Sequence, residues 1–139
     1  MDTTHCKKEI IELHRFFEEW ATAKIPKTGQ QLQRLSGVLA PEFVIITPGA
    51  EKIKRNSLLG MIRKGYGRYR ENPDAYKIWI EDVQTRILGE NSYLSTYLEG
   101  QKINDEIKVR LSTVIFTKEE TASNGLLWQH VHETWKPNS

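Results

Sequence analysis

The run Trp128-Gln129-His130-Val131-His132-Glu133-Thr134-Trp135 constrains the fold more than any other stretch of the chain. It alternates as a strand does, yet neither of its faces suits water. Successive side chains of a strand point to opposite sides. One side then carries Trp128, His130, His132 and Thr134, and the other Gln129, Val131, Glu133 and Trp135. A tryptophan on each side predicts a sheet covered twice, by a core or pocket on one face and by a second subunit on the other.

What precedes this strand is helical first and extended afterwards. Ile10, Leu13, Phe17, Trp20 and Ala21 recur at spacings of three and four, which predicts an amphipathic helix over residues 7–24. Pro26 ends it. Thr28 and Gln31 form a capping box for a second helix with Leu32, Leu35 and Leu39 on its apolar line, closed by Pro41. The β-branched run from Phe43 to Thr47 reads as a strand that turns at Pro48-Gly49. Asn56 or Ser57 caps a third helix with Leu58, Ile62, Tyr66 and Tyr69 on its buried line. Four strands follow, over residues 77–88, 92–98, 107–117 and 126–135. This order predicts one α+β domain spanning residues 1–139, its helices on one side of a curved antiparallel sheet.

Composition narrows the partners. A formal charge of +2 does not call for nucleic acid, and no apolar run is long enough to span a bilayer. The N-terminal residues lack the apolar stretch of a signal peptide, and Cys6 is the only cysteine, so no intrachain disulfide forms. Together these points predict a cytoplasmic protein. Lys52, Lys54, Arg55, Arg63, Lys64, Arg68 and Arg70 form a basic run with Tyr66 and Tyr69 among them, read as a solvated helix side past which an anionic ligand could enter.

The order of elements, with Phe43-Val44-Ile45-Ile46-Thr47-Pro48, Ile87-Leu88-Gly89-Glu90-Asn91, Tyr97-Leu98-Glu99-Gly100-Gln101 and Trp128-Gln129-His130-Val131-His132, resembles the nuclear transport factor 2-like superfamily. Within it the similarity is to SnoaL-like proteins and to the association domain of calcium/calmodulin-dependent protein kinase II. The resemblance implies a cone-shaped α+β barrel with a pocket, and members that are isomerases, dehydratases, hydrolases, transport factors or assembly hubs. Such a fold does not fix the function.

The resemblance puts Tyr93, Ser95 and Tyr97 on the face that lines the cone. Two phenols and a hydroxyl would give a mainly apolar pocket a few hydrogen-bonding groups. Arg110 with Glu133 forms a shielded charge pair if both face inward; otherwise Arg110 lies at a subunit boundary. Trp20, Tyr66 and Trp135 complete the candidate pocket. An acid/base pair could use Tyr93 or Tyr97 with Glu133, Asp82 or Glu81. The resemblance also implies that the ketosteroid isomerase site is missing. Thr47 stands where that enzyme has its carboxylate base, Phe16 or Phe17 where it has a tyrosine, and Ser112 or Thr113 where it has a second acid. His130 and His132 lack a third ligand at a recognised spacing, so no metal is expected, and no cofactor. The expected partners are a small molecule in the cone and a second copy of the chain on the outer sheet face, where Trp128, His130, Leu94 and Leu98 would lie.

Overall fold

In the computed structural model, which describes residues 2–137, three helices pack on one curved sheet. Helix α1 (Thr4–Ala21) buries Ile10, Leu13, Phe16 and Trp20 along one side. Helix α2 (Gly29–Ser36) begins with one half of the expected capping box: Gln31 N–H donates to the Thr28 hydroxyl at 3.1 Å, while the Thr28 N–H donates to the Pro26 carbonyl at 3.0 Å and not to the Gln31 side chain. It ends at Gly37, before Pro41, which lies inside strand β1 (Leu39–Ile46). A short strand β2 (Lys52–Lys54) pairs back on β1 and was not foreseen. It leads directly into α3 (Arg55–Lys64), which has no side-chain cap and stops before Tyr66 and Tyr69. A single 3-10 turn (Pro73–Ala75) precedes β3 (Tyr76–Gly89). Strands β4 (Ser92–Ile103), β5 (Glu106–Lys118) and β6 (Leu126–Trp135) complete the chain. Among the described residues no helix is long and apolar enough to cross a membrane.

The strand order is β2-β1-β6-β5-β4-β3. The sheet differs from a wholly antiparallel barrel in two ways: β1 and β6 run parallel, and β2 and β3 are free edges. The parallel pair is allowed by topology, because β2, α3 and the β3–β5 meander lie between the first and last strands and give the long crossover that a parallel pair needs.

A bulge in β6 corrects the reading of its faces. Phe116 pairs with Trp128 and Ile115 with His130, so Gln129 has no partner on β5. Two residues then oppose one, and the alternation changes phase. Leu126 and Trp128 face inward before the bulge, Val131 and Glu133 after it, and all four are buried. Trp128 therefore belongs to the core and not to an outer interface. His130 is half-buried and His132 exposed on the outer face, as foreseen. Trp135 keeps its inward phase but lies at the open end of the sheet, 41% exposed. The two tryptophans sit on the same face.

Glu9 holds this inner face to the helices. It is fully buried and accepts from Arg34 Nη2 at 2.7 Å, Arg34 Nη1 at 3.2 Å, Asn124 Nδ2 at 2.9 Å and Trp128 Nε1 at 2.8 Å. A buried carboxylate needs such compensation. Here it ties α1 to α2, to the β5–β6 connection and to β6.

Candidate functional site

The concave face of the sheet and the three helices enclose a cavity of ≈ 190 Å³. Its apolar walls include Leu13, Phe17, Trp20, Leu58, Ile62 and Val131. Alternation along the strands delivers its polar end. On β4 the inward residues after Tyr97 are Glu99 and Gln101; Glu99 pairs in register with Arg110 of β5, and Ser112 with Glu133 of β6. From the helical side His14 reaches into the same group.

The polar residues form two linked ion pairs. His14 Nε2 lies 3.0 Å from Glu99 Oε1, and its Nδ1 lies 2.7 Å from the carbonyl of Ile10. A carbonyl only accepts, so Nδ1 carries a proton, and an imidazolium satisfies both contacts at once. Gln101 Nε2 donates to Glu99 Oε2 at 2.6 Å. Arg110 Nη1 donates to Glu133 Oε1 at 2.8 Å, and the Ser112 hydroxyl lies 3.5 Å from Glu133 Oε2. Arg110 thus faces the cavity beside Glu133, and Arg110 Nε is buried with no hydrogen-bond partner.

Burial and charge set the protonation of this group. Burial works against the His14 imidazolium, but the Glu99 carboxylate outweighs it and raises the His14 pKa. Burial raises and His14 lowers the Glu99 pKa, with a net fall, so the pair is ionic. Glu133 goes the other way: burial raises its pKa, Arg110 offsets this only in part, and the nearby Glu99 charge adds to the rise. Burial and the two carboxylates push Tyr97 well above the usual phenol value, so its hydroxyl stays protonated.

Tyr97, Arg110, Glu133 and Trp20 line the cavity; the other candidates do not. Tyr93 and Ser95 share the inward phase of Tyr97 but are buried further along β4. Tyr93 meets the His5 ring edge-on at 5.0 Å, and the Ser95 hydroxyl lies 2.7 Å from that of Thr85. Tyr66 stands behind Trp20, its ring 4.8 Å away and its hydroxyl donating to the carbonyl of Ile25 at 2.7 Å. Trp135 lies at the rim, with Arg110 Cζ 4.9 Å and Lys108 Nζ 5.2 Å from its ring centre. Asp82 and Glu81 are exposed, Asp82 at a bulge of β3 with φ 53°. The Thr47 hydroxyl accepts from Glu51 N–H at 3.2 Å and so belongs to the β1–β2 turn. Among the described residues no three His, Cys, Asp or Glu side chains come together as a metal site.

His14, Glu99 and Gln101 escaped the sequence reading. Glu99 and Gln101 simply continue the phase of Tyr93, Ser95 and Tyr97, and would have been found had β4 been extended past Leu98. His14 follows Ile10 by four and precedes Phe17 by three, on the apolar arc of α1.

Of the basic run, Arg55 is structural: its Nε donates to the Leu39 carbonyl at 3.2 Å and its Nη2 to that of Ser36 at 2.9 Å. Arg68 alone among its cations lines the cavity.

Residues 6–137 match the family described as sucrose-6-phosphate phosphohydrolase C-terminal. Sucrose-phosphatase 1 of Nicotiana tabacum is 25% identical over 142 residues, covering 96% of this chain and 33% of that protein. Probable sucrose-phosphatase 2 of Arabidopsis thaliana is 24% identical over 128 residues, covering 91% of this chain and 29% of that protein. The chain spans about a third of the length of the curated relatives it matches. Among solved structures, a nuclear transport factor 2-like protein of unknown function from Pseudomonas aeruginosa superposes with a TM-score of 0.80 at 23% identity, covering 95% of this chain and 98% of the other. The association domain of the Caenorhabditis elegans calcium/calmodulin-dependent kinase II gives 0.60 at 12% identity, covering 92% and 94%. The fold is nuclear transport factor 2-like, of the cystatin-like α+β type.

Proposed function

The chain belongs to the sucrose-6-phosphate phosphohydrolase C-terminal family, and from that premise we propose that it is a binding domain that holds a small, partly apolar molecule in its cavity. The observation that carries this reading is the cavity's division into apolar walls and one polar end. Two ion pairs there, His14 with Glu99 and Arg110 with Glu133, stay enclosed at a cost in desolvation. Apolar walls with a few convergent polar groups are what small-molecule sites offer. A sugar phosphate would ask for more, because its hydroxyls need partners around the whole ring. The reading therefore assigns the phosphatase reaction named for the relatives to their remaining two-thirds and not to this domain.

The test is a thermal-shift screen across acids, steroids and polyketide-like compounds, repeated on Ile62→Trp, which fills the cavity. A compound that raises the melting temperature of the natural chain and loses its effect in the variant supports the reading. A panel without effect on either protein overturns it.

A second reading is an isomerase, dehydratase or hydrolase in which Glu133, its pKa raised inside the cavity, moves a proton beside Tyr97. Turnover of any cavity ligand that is lost in Glu133→Gln, with binding retained, would favour it over binding alone.

We further propose a homodimer through the outer sheet face. Val44, Ile46, Leu94, Leu98 and Ile115 are half-buried there and Leu111 is 44% exposed, an apolar surface that soluble monomers seldom leave in water. The kinase association domain, by its name an assembling domain, shares the fold.

A further inference from the structure

We propose that the molecule held in this cavity is a small amphiphilic monocarboxylate, its apolar body against Phe17, Trp20, Leu58 and Ile62 and its carboxylate turned to Arg110 and Arg68. This rests on the cavity reading above and narrows it to a chemical class.

The polar end of the cavity has donors left to give a ligand, while its carboxylates are occupied. Both nitrogens of His14 are engaged, one on the Ile10 carbonyl and one on Glu99. Both oxygens of Glu99 are taken, by His14 and Gln101, and both oxygens of Glu133 face Arg110 or Ser112. The cavity's carboxylates are thus already served by the protein. Its donors are not. Arg110 uses Nη1 on Glu133 and leaves Nε without a partner. Arg68 has no carboxylate within ion-pair distance among the described residues. Its guanidinium lies 5.3 and 5.6 Å from the ring centres of Tyr69 and Tyr76, which stack 4.7 Å apart and hold it at the cavity wall.

Charge then selects the ligand. The two ion pairs cancel, so Arg68 supplies the one uncompensated charge of the lining, and it is positive. A cation would meet Arg68 and Arg110 with no free carboxylate to balance it. A phosphate dianion would bring more charge than Arg68 neutralises, close to Glu99 and Glu133. A single carboxylate matches, and a guanidinium fork suits its two oxygens. Size sets the body: ≈ 190 Å³ falls below the roughly 300–1,000 Å³ of sites for drug-sized ligands.

The experiment is titration calorimetry at neutral pH and low salt with phenylacetate and hexanoate, against phenylacetamide, hexanamide and hexyl phosphate, on the natural chain and on Arg68→Gln. Arg68 is exposed and in no ion pair among the described residues, but it lies against the buried Tyr76, so circular dichroism and the unfolding midpoint of Arg68→Gln are measured first to establish that the fold is kept. Expected is binding of the carboxylates at least tenfold tighter than of their amides, a loss of most of that ratio in Arg68→Gln, and amide affinity unchanged. Amides binding as well as acids, or the phosphate binding best, overturns the carboxylate assignment and leaves a binding cavity standing. Absence of binding by every probe, together with no effect of Ile62→Trp in the wider screen, overturns both.

Discussion

Glu9 and Trp128 stand 119 positions apart in sequence and are joined by a 2.8 Å hydrogen bond from the indole Nε1 to the carboxylate Oε2. The bond fixes the phase of β6 at its start and couples that strand to α1. Glu9→Ala removes the acceptor shared by Arg34, Asn124 and Trp128. Groups left unpaired in a buried site cost more than the bonds themselves. A loss of about 3 kcal/mol in unfolding free energy is expected from chemical denaturation, and a smaller loss for Glu9→Gln, which keeps one acceptor oxygen.

The His14–Glu99 pair gives stability a pH window. The folded-state pKa of His14 is raised, so its contribution is full below the ordinary imidazole value of about 6.5 and is lost as pH rises through the folded value. Glu99 is lowered, so its contribution is full above the ordinary carboxylate range and is lost as pH falls through its folded value. Glu133, with a raised pKa, adds stability toward acid and opposes Glu99 there. The expected outcome is a decline in denaturation midpoint from mildly acidic to alkaline pH that His14→Gln flattens. An equal decline in His14→Gln would remove His14 as its cause.

Gly100 on β4 pairs with Trp79 on β3, and the indole lies over the glycine. A Cβ built on Gly100 would run into that ring. Gly100→Ala should therefore destabilise by about 1–3 kcal/mol, the usual cost of overpacking. In a double-mutant cycle with Trp79→Ala the penalty should largely disappear; a purely additive cycle would show that the ring is not the obstacle.

Cys6 is fully buried, and burial raises its thiol pKa to about 11. The thiolate is the reactive form. Native protein should stay unlabelled by a thiol reagent at neutral pH over the time in which unfolded protein reacts completely. Rapid labelling of native protein would place Cys6 at the surface.

The homodimer is tested by Leu94→Glu on the outer face. Charges buried without partners weaken an interface, so sedimentation should show a dimer for the natural chain and a shift to monomer or to aggregates for the variant. A natural chain that stays monomeric at high concentration removes the dimer.

The sequence by itself determined the class of the fold, because that information is local. The three-and-four spacing from Ile10 to Ala21 made α1, Thr28 with Gln31 started α2, and the turn near Gly89 separated β3 from β4, whereas the turn expected near Gly100 lies at Asn104, beyond a longer β4. Alternation grouped Tyr93, Ser95 and Tyr97 on one face of β4, but it was the resemblance that turned this face inward, and of the three Tyr97 alone lines the cavity. Tertiary structure decided the rest. Nothing in Trp128-Gln129-His130 says that Gln129 has no partner; that depends on how β5 and β6 pair across the chain. One unpaired residue moved Trp128 from a proposed interface into the core, because strand phase has period two and a slip of one exchanges the faces. The same holds for the site. His14 and Glu99 lie 85 positions apart, and only the packing of α1 across the sheet makes them an ion pair rather than a helix-face histidine and a polar strand residue.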